Sequence, residues 1–413
     1  QSEISNPLVL IDVDGDRIPD YLDADTDGPG AGDSDEDGIP DDEECPQGYL
    51  CPDSEGDNMP DYMQPVGEVI RSPVYMVWNS FLKQANIVVI VNKSNEEADI
   101  VVRVLDIEGG LLGLQSYSLA PSEEFDLIVN ELPGYSEDTY GTVRIDFTPP
   151  RSIEGHSAIY RFSDTASSLE LQPQASGGNN LNTDFAILLP FASSVKGTTY
   201  AFFDTIQPSR SEIDENNGIP HWVQIGNAHE SHIKGFTVNK YDRDGVLIES
   251  VRTLVPPQGR RDIEGGHAVP GPNQVGLLEI VPDDPESRYI AQVFHYGQNS
   301  PIGVMPTDFN FAMGESSRSG SALVQYAVVS TGAGSTNWIA IANTAAEPEA
   351  IQTKIIDNDG TVVFDQAIFL GPRAQTHLLA NAVLPQGHSG VAIMTPLTGK
   401  GIIGNTRSYY FDE

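Results

Sequence analysis

The 413-residue chain carries 60 acidic against 22 basic side chains, a formal net charge of −38. That balance excludes a nucleic-acid surface or an anionic-membrane surface, since both need a basic face to neutralise phosphate. The length suits about three domains, and no apolar run reaches the roughly 18 residues that span a bilayer.

The charge is concentrated at the front. Residues 1–66 hold twenty acidic side chains and one basic residue, Arg17, a net of −19. So charged a segment has too little apolar surface to fold alone, so cations are expected to order it. Between residues 12 and 64 one acidic grid recurs three times: Asp12, Asp14, Asp16, Asp20 and Asp23; then Asp33, Asp35, Asp37, Asp41 and Glu44; then Asp53, Glu55, Asp57, Asp61 and Gln64. Each set occupies positions 1, 3, 5, 9 and 12 of a twelve-residue loop, the ligand spacing of an EF-hand, in which position 7 adds a backbone carbonyl. That position is Ile18, Ile39 and Met59. Alternate carboxylates on a curled loop converge on one hard cation, and without it they repel one another. Asp25 and Asp27 extend the first set towards the second and are placed to share ions. Two or more Ca²⁺ ions are expected.

Pro19, Pro40 and Pro60 stand at position 8 of the three loops, where proline discourages the exiting helix of an EF-hand. The stretches DVDGDRIPDYLD, DSDEDGIPDDEE and DSEGDNMPDYMQ resemble thrombospondin type 3 calcium repeats over residues 12–64. That resemblance implies a chain wrapped around a row of calcium ions with little regular secondary structure, helped by disulfides. Cys45 and Cys51 are the only two cysteines. They read as one short disulfide and so as an oxidising, extracytoplasmic compartment. A first residue other than Met is what a processed, secreted chain would show.

Residues 67–413 contain an internal repeat. NIVVIVN, HWVQIGN and NWIAIAN, ending at Asn92, Asn227 and Asn343, alternate in strand rhythm. Each leads through a second strand to a D-x-x-G turn, at 106–109, 242–245 and 357–360. Twelve residues beyond each turn glycine stands Pro121, Pro257 or Pro372, and later Gly141, Gly276 or Gly390 opens another strand. Short alternating strands with turns every eight to twelve residues predict β-sandwiches. The expected fold is all-β: an irregular calcium-binding segment (1–66), then three tandem Ig-like sandwiches (67–163, 164–297 and 298–413). The last two open on lead-in segments containing a Thr-Asp-Phe triplet, at 183–185 and 307–309. These are read either as lead-in strands or as strands lent to a neighbour. The grammar resembles β-sandwich modules repeated in bacterial surface proteins. Trp222, Trp338 and Ile87 share one slot, read as a core position, and the D-x-x-G turns are read as hairpins chosen for their dihedral angles.

The pair His229 and His232 lies in a loop rather than on the helix that a HExxH zinc site requires. The run GHSA at 155–158 lacks the strand-to-helix context of a nucleophile elbow. A non-enzyme is therefore expected, specifically a secreted calcium-binding structural protein of the cell exterior. Its partners would be further copies of itself, in a filament or surface layer, or other cell-surface components. The alternatives are an adhesin or carbohydrate-binding module and, behind them, a polysaccharide hydrolase.

Overall fold

The computed structural model describes residues 73–81, 84–132, 135–136, 138–149, 151–162, 183–205, 220–265, 274–298, 309–332 and 335–410. They fall almost wholly within one compact unit formed by Pro73–Asp146 and Glu154–Glu413. That unit is built of antiparallel β-sheets, as the alternation predicts.

The first repeat contributes β1 (Val74–Asn79), β2 (Gln84–Asn92), β3 (Ala98–Asp106), β4 (Leu111–Leu119), β5 (Glu124–Ile128), β6 (Tyr140–Thr148) and β7 (Ile153–Phe162), followed by β8 (Thr183–Pro190) and β9 (Ala192–Ser193). They form a front sheet, β4-β3-β6-β1-β9, and a back sheet, β5-β2-β7-β8. The second repeat supplies β10 (Thr199–Asp204), β11 (His221–Asn227), β12 (Lys234–Asp242), β13 (Leu247–Val255), β14 (Arg260–Glu264), β15 (Val275–Pro282), β16 (Tyr289–Gln298) and β17 (Phe309–Ser316). Its front sheet is β10-β15-β12-β13 and its back sheet β14-β11-β16-β17. The third has β18 (Gln325–Ser330), β19 (Ser335–Asn343), β20 (Glu349–Asp357), β21 (Val362–Leu370), β22 (Gln375–Leu379), β23 (Ser389–Pro396) and β24 (Ile402–Tyr410). Here the front sheet is β18-β23-β20-β21 and the back sheet only β22-β19-β24.

The lead-in segments supply lent strands, β8 from Thr183 and β17 from Phe309. β8 pairs with β7 and β17 with β16, so each completes the back sheet of the sandwich before it. Among the described residues no strand of this kind pairs with β24.

The repeated signature residues each answer a backbone requirement. Asn92, Asn227 and Asn343 are buried at the strand end and staple a corner. Asn343 Nδ2 donates to the carbonyls of Glu347 and Gly371, at 2.7 and 2.8 Å, while its Oδ1 accepts from Ala345 N–H. Asn92 and Asn227 do the same with Glu96 and Leu119, and with His232 and Val255. In the first two D-x-x-G turns the aspartate Oδ1 accepts two backbone N–H groups, from Glu108 and Gly110 for Asp106 and from Asp244 and Val246 for Asp242. The turn glycines adopt φ of +84°, +84° and +87°, a region that penalises any Cβ. Gly141, Gly276 and Gly390 serve a different need. A Cβ there would fall about 2 Å from the carbonyl oxygens of Leu105, Tyr241 and Ile356, so only glycine lets the neighbouring strand close in.

The sandwiches are stacked rather than strung. Tyr75 and Val77, on the outward face of β1, pack with Ile290, Phe294 and Trp222 from the back sheet of the second repeat. Tyr200, Phe202 and Leu277, on the front sheet of the second repeat, pack with Ala340, Ala342 and Ile403 from the back sheet of the third. Both junctions therefore set a front sheet on the next back sheet. Trp222, read from sequence as a core residue, faces this junction instead. Its slot points away from its own sandwich and towards the preceding one.

Replacing Asn343 with Ala should remove the side-chain donor of the Glu347 and Gly371 carbonyls and the acceptor of Ala345 N–H. Chemical denaturation should report a loss of about 2–4 kcal/mol for the third sandwich, against near-neutral effects for exposed polar substitutions such as Gln366→Ala.

Candidate functional site

The acidic grid is the site that sequence identifies. Asp12, Asp14, Asp16, Ile18, Asp20, Asp23, Asp25, Asp27, Asp33, Asp35, Asp37, Ile39, Asp41, Glu44, Asp53, Glu55, Asp57, Met59 and Asp61, with Cys45 and Cys51, lie outside the described residues. Among the described residues no group of three or more His, Cys, Asp or Glu is arranged to hold a metal. None of the described helical turns is long and apolar enough to cross a membrane.

Two sequence features resolve as structure. His229 and His232 lie in the bend between β11 and β12, where His229 Nδ1 accepts the backbone N–H groups of Ser231 and His232, and the rings meet edge to face at 4.5 Å. The GHSA run lies within β7, with Ser157 buried in a flat strand rather than presented on an elbow.

A cleft of about 570 Å³ runs along β8, β17 and β24 and opens onto a polar cluster that sequence reading missed. Arg407, from β24, is buried. Its guanidinium lies 3.2 Å from Glu315 Oε1 of β17 and 3.5 Å from Asp204 Oδ2 of β10. Glu315 also accepts from Asn405 Nδ2 and, at 3.1 Å, from the backbone N–H of Phe202. His295 Nδ1 lies 3.1 Å from His221 Nε2 and its Nε2 lies 3.5 Å from Arg407 Nη2.

The charges are balanced within this cluster. Burial opposes the Arg407 charge, but Glu315, Tyr409 and Asp204 more than offset it, and its pKa is raised. Burial, aided by His221 and Arg407, holds His295 neutral with a pKa well below the ordinary histidine value. On the same junction His377 is pushed down to about 3, by burial first and then by Arg407 and Arg243. Tyr200, buried between the repeats, is pushed up to about 12. The arrangement compensates charge where the second and third repeats meet, because Asp204, His221, His295 and Glu315 come from the second and Arg407 from the third. One signal of it is visible in the repeat: Arg407 stands at the position that Phe294 holds one repeat earlier.

No known protein family matches the chain by its sequence profile, and no curated protein matches it significantly. Among solved structures it is similar to a tetra-tandem repeat in the extending region of a large adhesion protein, at 11% identity and TM-score 0.14, covering 77% of this chain and 67% of that one. It is also similar to a glycosyl hydrolase family 2 member from Bacteroides cellulosilyticus DSM 14838, at 11% identity and TM-score 0.12, covering 60% and 29%. A further likeness is to a beta-glucuronidase from glycoside hydrolase family 2, at 12% identity and TM-score 0.14, covering 62% and 24%. The chain spans less than a third of the length of either hydrolase. Alignments this loose carry no argument about activity.

Two neutral histidines, the buried His295 and the half-buried His377, give the stack a pH dependence. Their folded pKa values lie below the unfolded value of about 6.5, so the unfolded chain binds more protons and stability is lost as pH falls below it. Between pH 6.5 and 5 the unfolding free energy should drop by up to about 1.4 kcal/mol per pH unit for each histidine. Denaturant titrations of His377→Asn should show a shallower slope over that interval.

Proposed function

We propose that this is a secreted, calcium-binding structural protein of the cell exterior that assembles with its own copies, the acidic segment being stiffened by two or more Ca²⁺ ions. The observation that carries the reading is the threefold 1-3-5-9-12 grid of oxygen side chains at 12–64, which has no purpose in a solvated tail and a direct one around a hard cation. Calcium that binds only the ordered form acts as a folding ligand. A site built from such loops needs only the weak affinity, on the order of 10⁻⁴ to 10⁻³ M, of extracellular calcium modules. The stack of three sandwiches supports a structural role, since its junctions are built on apolar burial and charge compensation. The same features favour a non-enzymatic protein.

The apolar run at residues 7–11 is a candidate strand for another copy. β24 offers an edge of the kind that β7 and β16 have covered by lent strands, so strand addition there would link copies.

Calorimetric titration of the full chain should show saturable calcium uptake that is abolished by Asp→Asn changes at Asp35, Asp37 and Asp41. Electron microscopy should show assemblies that a chelator disperses and that deletion of residues 1–11 weakens. A chain that takes up no calcium would refute the reading.

A further inference from the structure

The two junctions are copies of one another, and this identifies a docking face. In the front sheets, Gly141, Gly276 and Gly390 pair with Trp78, Phe203 and Val329. That register makes Tyr75, Tyr200 and Tyr326 equivalent, and likewise Val77, Phe202 and Val328. Tyr75 and Tyr200 are 5% and 8% exposed and Val77 and Phe202 each 1%, because the next repeat covers them. Tyr326 is 69% and Val328 72% exposed. Around them Val391 and Ile393 take the places of Leu277 and Glu279. Where Glu279 forms an ion pair with Arg373 across the second junction, the third front sheet therefore carries an isoleucine. The centre of the face is apolar, and its flank carries the Lys354–Asp365 ion pair, Lys354 standing where the second front sheet has Asn239.

The turns repeat the pattern independently. At the first junction a Cβ on Gly109 would strike the Pro257 carbonyl at 2.0 Å, and Arg260 N–H donates to the Ile107 carbonyl at 2.9 Å. At the second, a Cβ on Gly245 would strike the Pro372 carbonyl at 1.9 Å, and Gln375 N–H donates to the Arg243 carbonyl at 2.9 Å. The third turn glycine, Gly360, has nothing within 4 Å of that position.

The first repeat presents the corresponding back-sheet surface, with Glu154 in the place of Ile290 and Ile403. Its proline corner, residues 121–124, is exposed, whereas the corresponding Gly259 and Arg260 of the second repeat and Ala374 and Gln375 of the third are buried at junctions. Counted back from the terminal asparagine of each strand, Val89 and Val91 hold the places of Ala340 and Ala342, the residues on which Phe202 packs. The occupant that fits is thus the back sheet of another sandwich of this fold.

We propose that the front sheet of the third repeat docks on the back sheet of the first repeat in a second copy of this chain. Tyr326 and Val328 meet Val89 and Val91, the Gly360 turn seats against the 121–124 corner, and the six-sheet stack continues from copy to copy. A front-to-back contact of this kind is heterologous, so it propagates into a line instead of closing as a dimer. The inference rests on the self-assembly proposed above and specifies the surface that performs it.

The test uses the full chain in calcium-containing buffer and measures association by sedimentation and electron microscopy. Val328→Asp and Val89→Asp should each weaken association at least ~30-fold, the effect of losing a central contact. Phe369→Asp should not, since its counterpart Leu254 remains exposed beside the existing second junction. Mixed Val328→Cys and Val89→Cys chains should cross-link to each other on mild oxidation. Unchanged melting of Val328→Asp would separate a docking defect from misfolding. If the unmodified chain stays monomeric, self-assembly fails and this face with it. If it polymerises and Val328→Asp polymerises equally, or if Phe369→Asp abolishes association as fully, only the proposed face is overturned.

Discussion

In the first two front sheets one strand, β1 or β10, is buried on both faces, and that constraint governs the rest of the molecule. An antiparallel sheet commonly buries one face and wets the other. Here all six residues of β10 are buried, and β15 is buried at seven of its eight positions. Phe203 and Ala201 fill the sandwich interior while Tyr200 and Phe202 point outward. Left in water, that outward face would be a contiguous apolar patch of the kind that marks an interaction surface. The back sheet of the following repeat covers it, and so neighbouring sandwiches pack as layers of one body.

Polar groups at the junctions follow from the same burial. Arg260 is fully buried at the first junction, where it donates to the carbonyls of Trp78 and Gly141 while its guanidinium is paired with Asp262. Arg407 occupies the second junction between Glu315 and Asp204. A buried guanidinium is tolerated when its charge is compensated, so each junction carries its own matched set of carboxylates. These sets differ: Arg144 meets Glu230 at the first junction, whereas Glu279 meets Arg373 at the second. The apolar contact is common to both junctions and the ionic contacts distinguish them, which favours the correct neighbour over another repeat.

The lent strands add continuity of backbone pairing. β8 and β17 begin in the linker, close the back sheet behind them and then deliver the chain to the next front sheet. A linker used in this way cannot swing freely, because its own hydrogen bonds belong to the preceding sandwich. Stiffness of the stack therefore comes from two sources, face burial and shared strands.

Much of this is written locally. Period-two alternation, the asparagine at each strand end, the left-handed glycine of each D-x-x-G turn and the glycine at 141, 276 and 390 are demands of the backbone within a hairpin, so sequence alone determined the strands, the turns and the threefold repeat. The carboxylate grid at 12–64, proposed above to hold calcium, is legible for the same reason, since it is a short-range pattern of spacing. Tertiary structure alone decided which apolar residues serve a core and which a junction. Trp222 and Val223 are adjacent and both hydrophobic, and only the neighbouring repeat tells their roles apart. It also decided the destination of the lead-in strands and the meeting of Arg407 with Glu315 and Asp204, which lie 92 and 203 residues away in the chain. Those pairings depend on how sheets stack, and a stack is specified by surfaces that no short window of sequence contains.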